Sequence, residues 1–429
     1  MEKDAPILIL GAGTFGLSTA YHFAQAGHSN ITVLERSAAV PPADSAGNDL
    51  NKIVRAEYED PFYAELALQA MAAWKTNPLL APYYHETGYL LANSAAAPEK
   101  AKKTLLKSLG SIQQHPAFRG KISPIETRAD IAKVAPVFDG PMEWKGYFNR
   151  FAGYAHSADA LTAMYSACCA LGVQFHTGDA VKSLNYTSDK RCTGAVTASG
   201  KTYTAALTVL ALGAALATVL PEVGRQVAAN AWPVAHIQLT PAEAQKLRGI
   251  PVTYARDLGF FFEPDRRTNL LKLCPSGAGY TNFGSSTSSA ESEGRQGSSV
   301  PPDFSAFITP ADEEKIRRLL RETMPGLAER PLINGRLCWC ADTADSEYII
   351  DFVPGTSGNS LIVASGDSGH AFKMLPIAGR WLVELARAGK QETRRWRWKA
   401  GQDAGGDVSW RIGRPVDLKD VPLAVKSKL

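Results

Sequence analysis

The chain has 429 residues, 45% hydrophobic and 21% charged, and a formal net charge of +4 from 46 basic against 42 acidic side chains. That length asks for two domains or three, and that composition is a soluble globular protein's. With no dense Lys/Arg block and no long apolar run, neither nucleic acid nor a membrane is an expected partner.

The first segment, APILILGAGTFGLSTAYHFAQAGHSNITVLER, predicts a strand over Ile7 to Leu10, a turn through Gly11, Gly13 and Gly16, a helix that stops at Gly27, and a second strand from Ile31 that ends at Glu35. Each glycine has a reason in a dinucleotide site: Gly11 for the tight turn, Gly13 for close approach of a pyrophosphate, Gly16 for helix against strand. Glu35, 24 residues after Gly11, is placed to accept from ribose hydroxyls. An acid there disfavours NADP and leaves NAD and FAD.

A polar loop over Asp44 to Asn51 follows, then an extended segment through Arg55 and an amphipathic helix from about Pro61. From Phe151 the pattern is helix then strand, with Cys168 and Cys169 expected as small buried hydrophobes in ALTAMYSACCALG. A meander then ends in the buried strand Thr208 to Leu212, which returns to the first sheet. VAHIQLT, GFFFEPD and NLLKLCP read as hairpin-connected strands, with Glu263 expected opposite Leu270 and Lys272 opposite Phe261 on one sheet face. Gly284 to Pro302 is Ser/Gly-rich and expected as a surface loop, and Thr309, Pro310 and Asp312 predict a capped helix start.

Cys338 and Cys340 flank a tryptophan in GRLCWCADTADSEYIID, and the residues alone leave three readings: half of a metal site, a disulfide, or one reactive thiol beside an ordinary one. The six cysteines are scattered and no signal-peptide pattern stands at the start, which reads as a reducing compartment. The terminal Ser427-Lys428-Leu429 is the tripeptide that the peroxisomal import receptor reads, so a peroxisomal location is expected. Two interleaved domains are expected: 1–84, 146–222 and 327–429 bind the nucleotide, while 85–145 and 223–326 form an antiparallel sheet over it.

GAGTFGLSTAYHFAQAG, DSAGNDLNKIVRAEYEDPFY, AHIQLT, GFFFEPD, CWCADTADSEYIID and SGDSGHAFKMLPIAG together resemble the fungal fructosyl amino acid and fructosyl peptide oxidases (amadoriases), in the monomeric sarcosine oxidase branch of FAD-dependent amine oxidases. The resemblance spans essentially the whole chain. It implies an α/β plus α+β fold, with a Rossmann-like FAD domain interleaved with an antiparallel substrate domain, and by family default a monomer. It implies oxidation of the sugar C–N bond of a glycated amino acid or peptide, by hydride transfer to FAD from an amine bound neutral. Glucosone and free amine result, and O2 becomes H2O2.

The resemblance also assigns residues. Cys338 is the thioether tether to FAD and Cys340 a bystander; a metal would need about four ligands with suitable spacing, and a bridge between residues one apart is strained. The implied cofactor-binding set is Gly11, Gly13, Thr14, Phe15, Gly16, Glu35, Arg36, Ser45, Lys52, Val181, Cys338, Asp367, Gly369 and Lys373. Arg55 and Lys373 are implied as a clamp on the substrate carboxylate. Lys272 is implied as the oxygen-activating cation, Glu263 as the acid at the sugar or amine, and Arg411 as a residue reaching the sugar, while Trp232 and His236 are read from their own segment as candidates for the pocket wall. Two rival functions remain from the residues: a sarcosine- or pipecolate-type N-alkyl amino acid oxidase, and a dinucleotide-binding protein without oxidase chemistry. An NAD dehydrogenase makes no use of Cys338 or Lys272.

Overall fold

The computed structural model describes residues 1–283, 298–399 and 411–422; most of the Ser/Gly-rich tract and Ser427-Lys428-Leu429 lie outside the described residues. Ile7–Leu10 is the heart of a six-stranded sheet, with Ile31–Glu35 and Leu207–Leu210 parallel on its two sides. Gln174–Thr177 and Leu361–Ser365 extend that sheet in parallel, and Ile349–Phe352 closes one edge antiparallel. Helices cover such strands on both faces, so Ile7–Leu10 and Leu361–Ser365 are buried at every residue and need no apolar/polar alternation. Helix Thr14–Gln25 packs on helix Ala378–Ala388. The contact is close because Gly379 lacks a Cβ, which would overlap the Ser18 carbonyl.

The second sheet is built on Val227–Gln238, twelve residues long and buried along almost all of its length. One edge of this strand pairs with Ile333–Thr343, setting Trp232 opposite Cys338, and the other with Leu270–Pro275, setting His236 opposite Lys272. The sheet continues through Gly259–Phe261, Val252–Ala255, Tyr89–Asn93, Lys145–Asn149 and Ile122–Ile125. The mixed α/β architecture is thus the expected one, with two corrections of membership. All of Lys145–Asn149 but its first residue, and all of Ile333–Thr343, fall in the segments 146–222 and 327–429 expected with the nucleotide, yet both strands pair into the second sheet, which is mixed rather than antiparallel because Val252–Ala255 runs parallel to Tyr89–Asn93. A strand's own pattern says which face is buried; its partner is a long-range matter.

The hairpin register also differs from the expectation. Phe261 stands opposite Leu273 and Phe260 opposite Cys274, one residue from the expected pairing of Phe261 with Lys272. The connection decides this: Asp265 Oδ1 accepts from the backbone N–H groups of Arg267 and Thr268, and Asn269 takes a left-handed φ of 57°. A turn of that length sets the slip, and a one-residue slip exchanges the faces. Elsewhere the local predictions hold. Pro61–Thr76 is a helix capped by Asp60, and Pro310–Thr323 starts with a capping box between Thr309 and Asp312. Cys168 is buried, whereas Cys169 is exposed, because adjacent helical positions point about 100° apart.

Candidate active site

A cavity of about 480 Å³ runs from the Gly-rich turn to the second sheet. Gly11, Gly13, Thr14, Phe15, Glu35, Arg36, Ser45, Lys52, Val181, Cys338, Asp367 and Gly369 line it. Gly11 has φ 99°, and a Cβ there would meet the Ala211 carbonyl oxygen at 2.5 Å. A Cβ on Gly13 would stand 3.2 Å from Ser45 Oγ, in space the cavity uses. Gly16 lies behind the wall, where a Cβ would overlap the Gly11 carbonyl; it is the helix-against-strand glycine. Glu35 is buried, and each oxygen accepts one backbone N–H, Ala12 at 2.9 Å and Ser37 at 2.9 Å. That fixes the carboxylate in place and leaves lone pairs for ribose hydroxyls. The glycine cradle and the oriented acid fit the adenosine diphosphate half of FAD. Lys373, expected also at the cofactor, lines only the neighbouring cavity.

That neighbouring cavity, about 260 Å³, shares Lys52, Cys338, Cys340, Gly369 and Phe372 with the first. The junction of the two is therefore where a nucleotide's redox end and a substrate can meet. Arg55, half-buried, leans over the Tyr58 ring with Cζ 5.3 Å from its centroid and over Tyr89 at 5.7 Å. Lys373 is buried, donating from Nζ to Tyr58 Oη at 2.9 Å and to the His370 carbonyl at 2.9 Å. Burial and the Arg55 charge hold the Lys373 ammonium well below its ordinary pKa. Glu57, buried, balances Arg55 in part; burial raises its own pKa, and its Oε1 accepts from Asn149 Nδ2 at 2.7 Å. Glu57 therefore offsets only part of the charge that Arg55 and Lys373 bring to this stretch of the wall, which favours an anion beside them.

Lys272 is 1% exposed, with Nζ 2.6 Å from Asp49 Oδ2 and donating to the Asn51 carbonyl at 2.7 Å. Burial lowers its pKa against the pull of Asp49. Asp49 also faces Lys52 at 2.9 Å and Arg336 at 3.3 Å. Burial opposes ionisation of Asp49, yet these three cations hold it well below the usual carboxylate range. Three cations on one carboxylate keep the wall beside Cys338 positive. Sequence reasoning read Asp49 as mere loop; its spacing of three from Lys52 was the available signal.

Cys338 is 7% exposed, with Lys52 Nζ 3.7 Å from Sγ. A hydrogen bond from the Cys340 thiol, with Lys52 and Arg336, outweighs burial and holds the Cys338 thiol well below its ordinary pKa. Cys340 is displaced the other way by the same bond. The two thiols are thus displaced in opposite directions, and both are buried. The thiolate, the form that forms thioethers and disulfides, is favoured at Cys338.

Two expected residues face elsewhere. The buried carboxylate of Glu263 accepts from Tyr154 Oη at 2.6 Å and from the Gly249 backbone N–H at 2.7 Å, and it does not line the cavity. The one-residue register difference turns it away while Phe260 and Phe262 line the wall. Arg411 is spent on Asp342, with Nε to Oδ2 at 2.6 Å and Nη2 to Oδ1 at 2.9 Å, behind Trp232. Trp232 itself lines the substrate cavity as expected, while His236 is absent from that wall.

The model of the FAD dependent oxidoreductase family (DAO) matches residues 6–385. The chain belongs to that family. It is 35% identical to the L-saccharopine oxidase of Schizosaccharomyces pombe, over 96% of this chain and 98% of the relative. Among solved structures it is similar to the deglycating fructosamine oxidase Amadoriase II of Aspergillus fumigatus, at 35% identity and TM-score 0.86, covering 98% and 97% of the two chains. The fructosyl peptide oxidase of E. terrenum superposes with TM-score 0.89 at 30% identity, covering 98% of each. The resemblance drawn from the motifs therefore holds, and the chain is an FAD-dependent amine oxidase in fold and kind.

Proposed function

We propose that this protein oxidises the secondary amine of an N-substituted amino acid, with fructosyl amino acids or fructosyl peptides as the first reading of the substrate. The C–N bond becomes an imine, water splits it into a carbonyl product and the free amine, and O2 leaves as H2O2. When bound, FAD supplies the two-electron acceptor for that oxidation. The observation that carries the reading is the Arg55–Lys373 pair, short of counter-charge, on a cavity that meets the dinucleotide channel at Cys338. Arg55 offers a planar fork and Lys373 a point charge to an α-carboxylate, which orients the amine in a site walled by Trp232, Phe260 and Phe262. Lys272, held by Asp49, puts a desolvated ammonium where reduced oxygen would gather negative charge. Cys338, poised as thiolate, is the proposed covalent anchor for FAD.

A second reading, an N-substituent that is not a sugar, draws on Glu263: the acid that the fructosyl reading assigns to the amine or sugar is committed to Tyr154 and Gly249. The relative named for L-saccharopine fits this reading. Peroxide release on fructosyl-valine, fructosyl-lysine, L-saccharopine, sarcosine and pipecolate tests both. Turnover of at least one is expected; turnover of sarcosine or pipecolate alone rejects the fructosyl reading, and no peroxide from any rejects the oxidase.

A further inference from the structure

The substrate cavity holds one cation that the site described above does not use. Arg256 follows the strand Val252–Ala255, its backbone N–H donating to the Ala92 carbonyl at 2.9 Å, and its side chain joins the cavity wall beside Tyr254. The residue is 6% exposed, yet its Nε makes no hydrogen bond. The acids of the same cavity are engaged elsewhere. Asp60 and Glu347 hold Arg395, Asp345 holds Lys399, Glu59 lies 3.9 Å from Lys107, and Glu57 acts on Arg55. What Arg256 acts on within the protein is the pair of buried phenols Tyr89 and Tyr147, whose hydroxyls also lack hydrogen-bond partners and which burial keeps protonated.

A guanidinium taken out of water without an anion is costly, and a neutral phenol is no counter-charge. A buried cation on a cavity wall is best explained by an anion that arrives in the cavity. Arg55 and Lys373 already serve one carboxylate, and Tyr89, under the Arg55 guanidinium, also feels the charge of Arg256. We propose that Arg256 is a second anion subsite, so that the preferred substrate is a secondary amine with a carboxylate on each side of its nitrogen, an N-(carboxyalkyl) amino acid. This rests on the oxidase reading above and narrows its substrate class.

The test is a series of N-(ω-carboxyalkyl)glycines with two to five methylenes, each compared with the N-alkylglycine of equal length by peroxide release, with the panel above as control. The added carboxylate is expected to raise kcat/KM at least tenfold at one or two lengths. R256Q is expected to collapse that ratio toward one, and R256K to retain part of it, with bound-flavin absorbance reporting the fold. Equal kcat/KM with and without the carboxylate at every length overturns the proposal. So does a loss in R256Q that is the same for both members of a pair, because Arg256 would then share the first carboxylate. Should R256Q fail to hold flavin, the wild-type series and R256K decide by the same criteria. If panel substrates are oxidised but no length gains, only the second subsite falls; if nothing is oxidised, the oxidase reading falls with it.

Discussion

Cys338→Ser removes the sulfur whose pKa Cys340, Lys52 and Arg336 lower. Acid precipitation of that variant is expected to release the flavin into the supernatant, whereas wild type keeps it in the pellet. Cys340→Ser, whose hydroxyl still donates, is expected to keep the flavin bound; Cys340→Ala is expected to slow covalent incorporation during reconstitution, read as pellet flavin against time. Asp49→Asn leaves Lys272, Lys52 and Arg336 facing one another without their carboxylate. An uncompensated buried charge costs about 3–5 kcal/mol, so thermal unfolding of the variant should begin well below that of wild type, and a variant of unchanged stability would show that the cations find other partners.

At the scale of elements, Arg411–Asp342 anchors the segment 411–422 to the strand Ile333–Thr343. Arg411→Met should lower the urea midpoint by the several-kcal/mol loss expected when one member of a buried pair is removed. Selectivity across the substrate panel should stay as in wild type, because this guanidinium does not reach the cavity; altered selectivity would restore the role first expected of it. The elements were legible wherever the signal is local. The β-α-β unit, the capped helices and the buried strand after the meander are written in runs of neighbours. What was not legible is relational. The hairpin slip depends on how Asp265 folds the turn, and it exchanges Glu263 for Phe262 on the wall. The fate of Arg411 depends on an aspartate 69 residues away, and that of Asp49 on Lys272, a residue of another sheet segment. Arg55, Lys373, Lys272, Trp232 and Cys338 all line the two cavities, Lys272, Trp232 and Cys338 from within strands and Arg55 from the residue after one, because alternation along a strand already says which side chains share a face.

For the molecule as a whole, burial depresses three imidazoles, His370 to about 3 and His85 and His236 to about 4, and outweighs the opposing pull of Glu263 on His85 and of Asp49 on His236. Below about pH 6.5 the unfolded chain takes up protons there that the native state refuses. Their contribution is thus complete above that value and lost as pH falls toward 4, at up to about 1.4 kcal/mol per pH unit for each enclosed ring. Asp367, pushed up to about 6 by burial, works in the opposite sense over part of that range. Melting temperature should fall from pH 6.5 to 4.5, and His236→Asn should flatten the slope; an unchanged profile would mean the rings titrate normally in the fold. Finally, Val227–Gln238 acts as a ruler. Residues 232 and 236 of this one strand meet Cys338 on one edge and Lys272 on the other, four residues or roughly 13 Å apart along the strand at about 3.3 Å per residue. Insertions in the loops around the entrance can therefore change what enters without disturbing the interval between Cys338 and Lys272. A single deletion inside this strand would put one of the two on the wrong face, so substrate range can diverge in this scaffold while the spacing of its reactive pair stays constant.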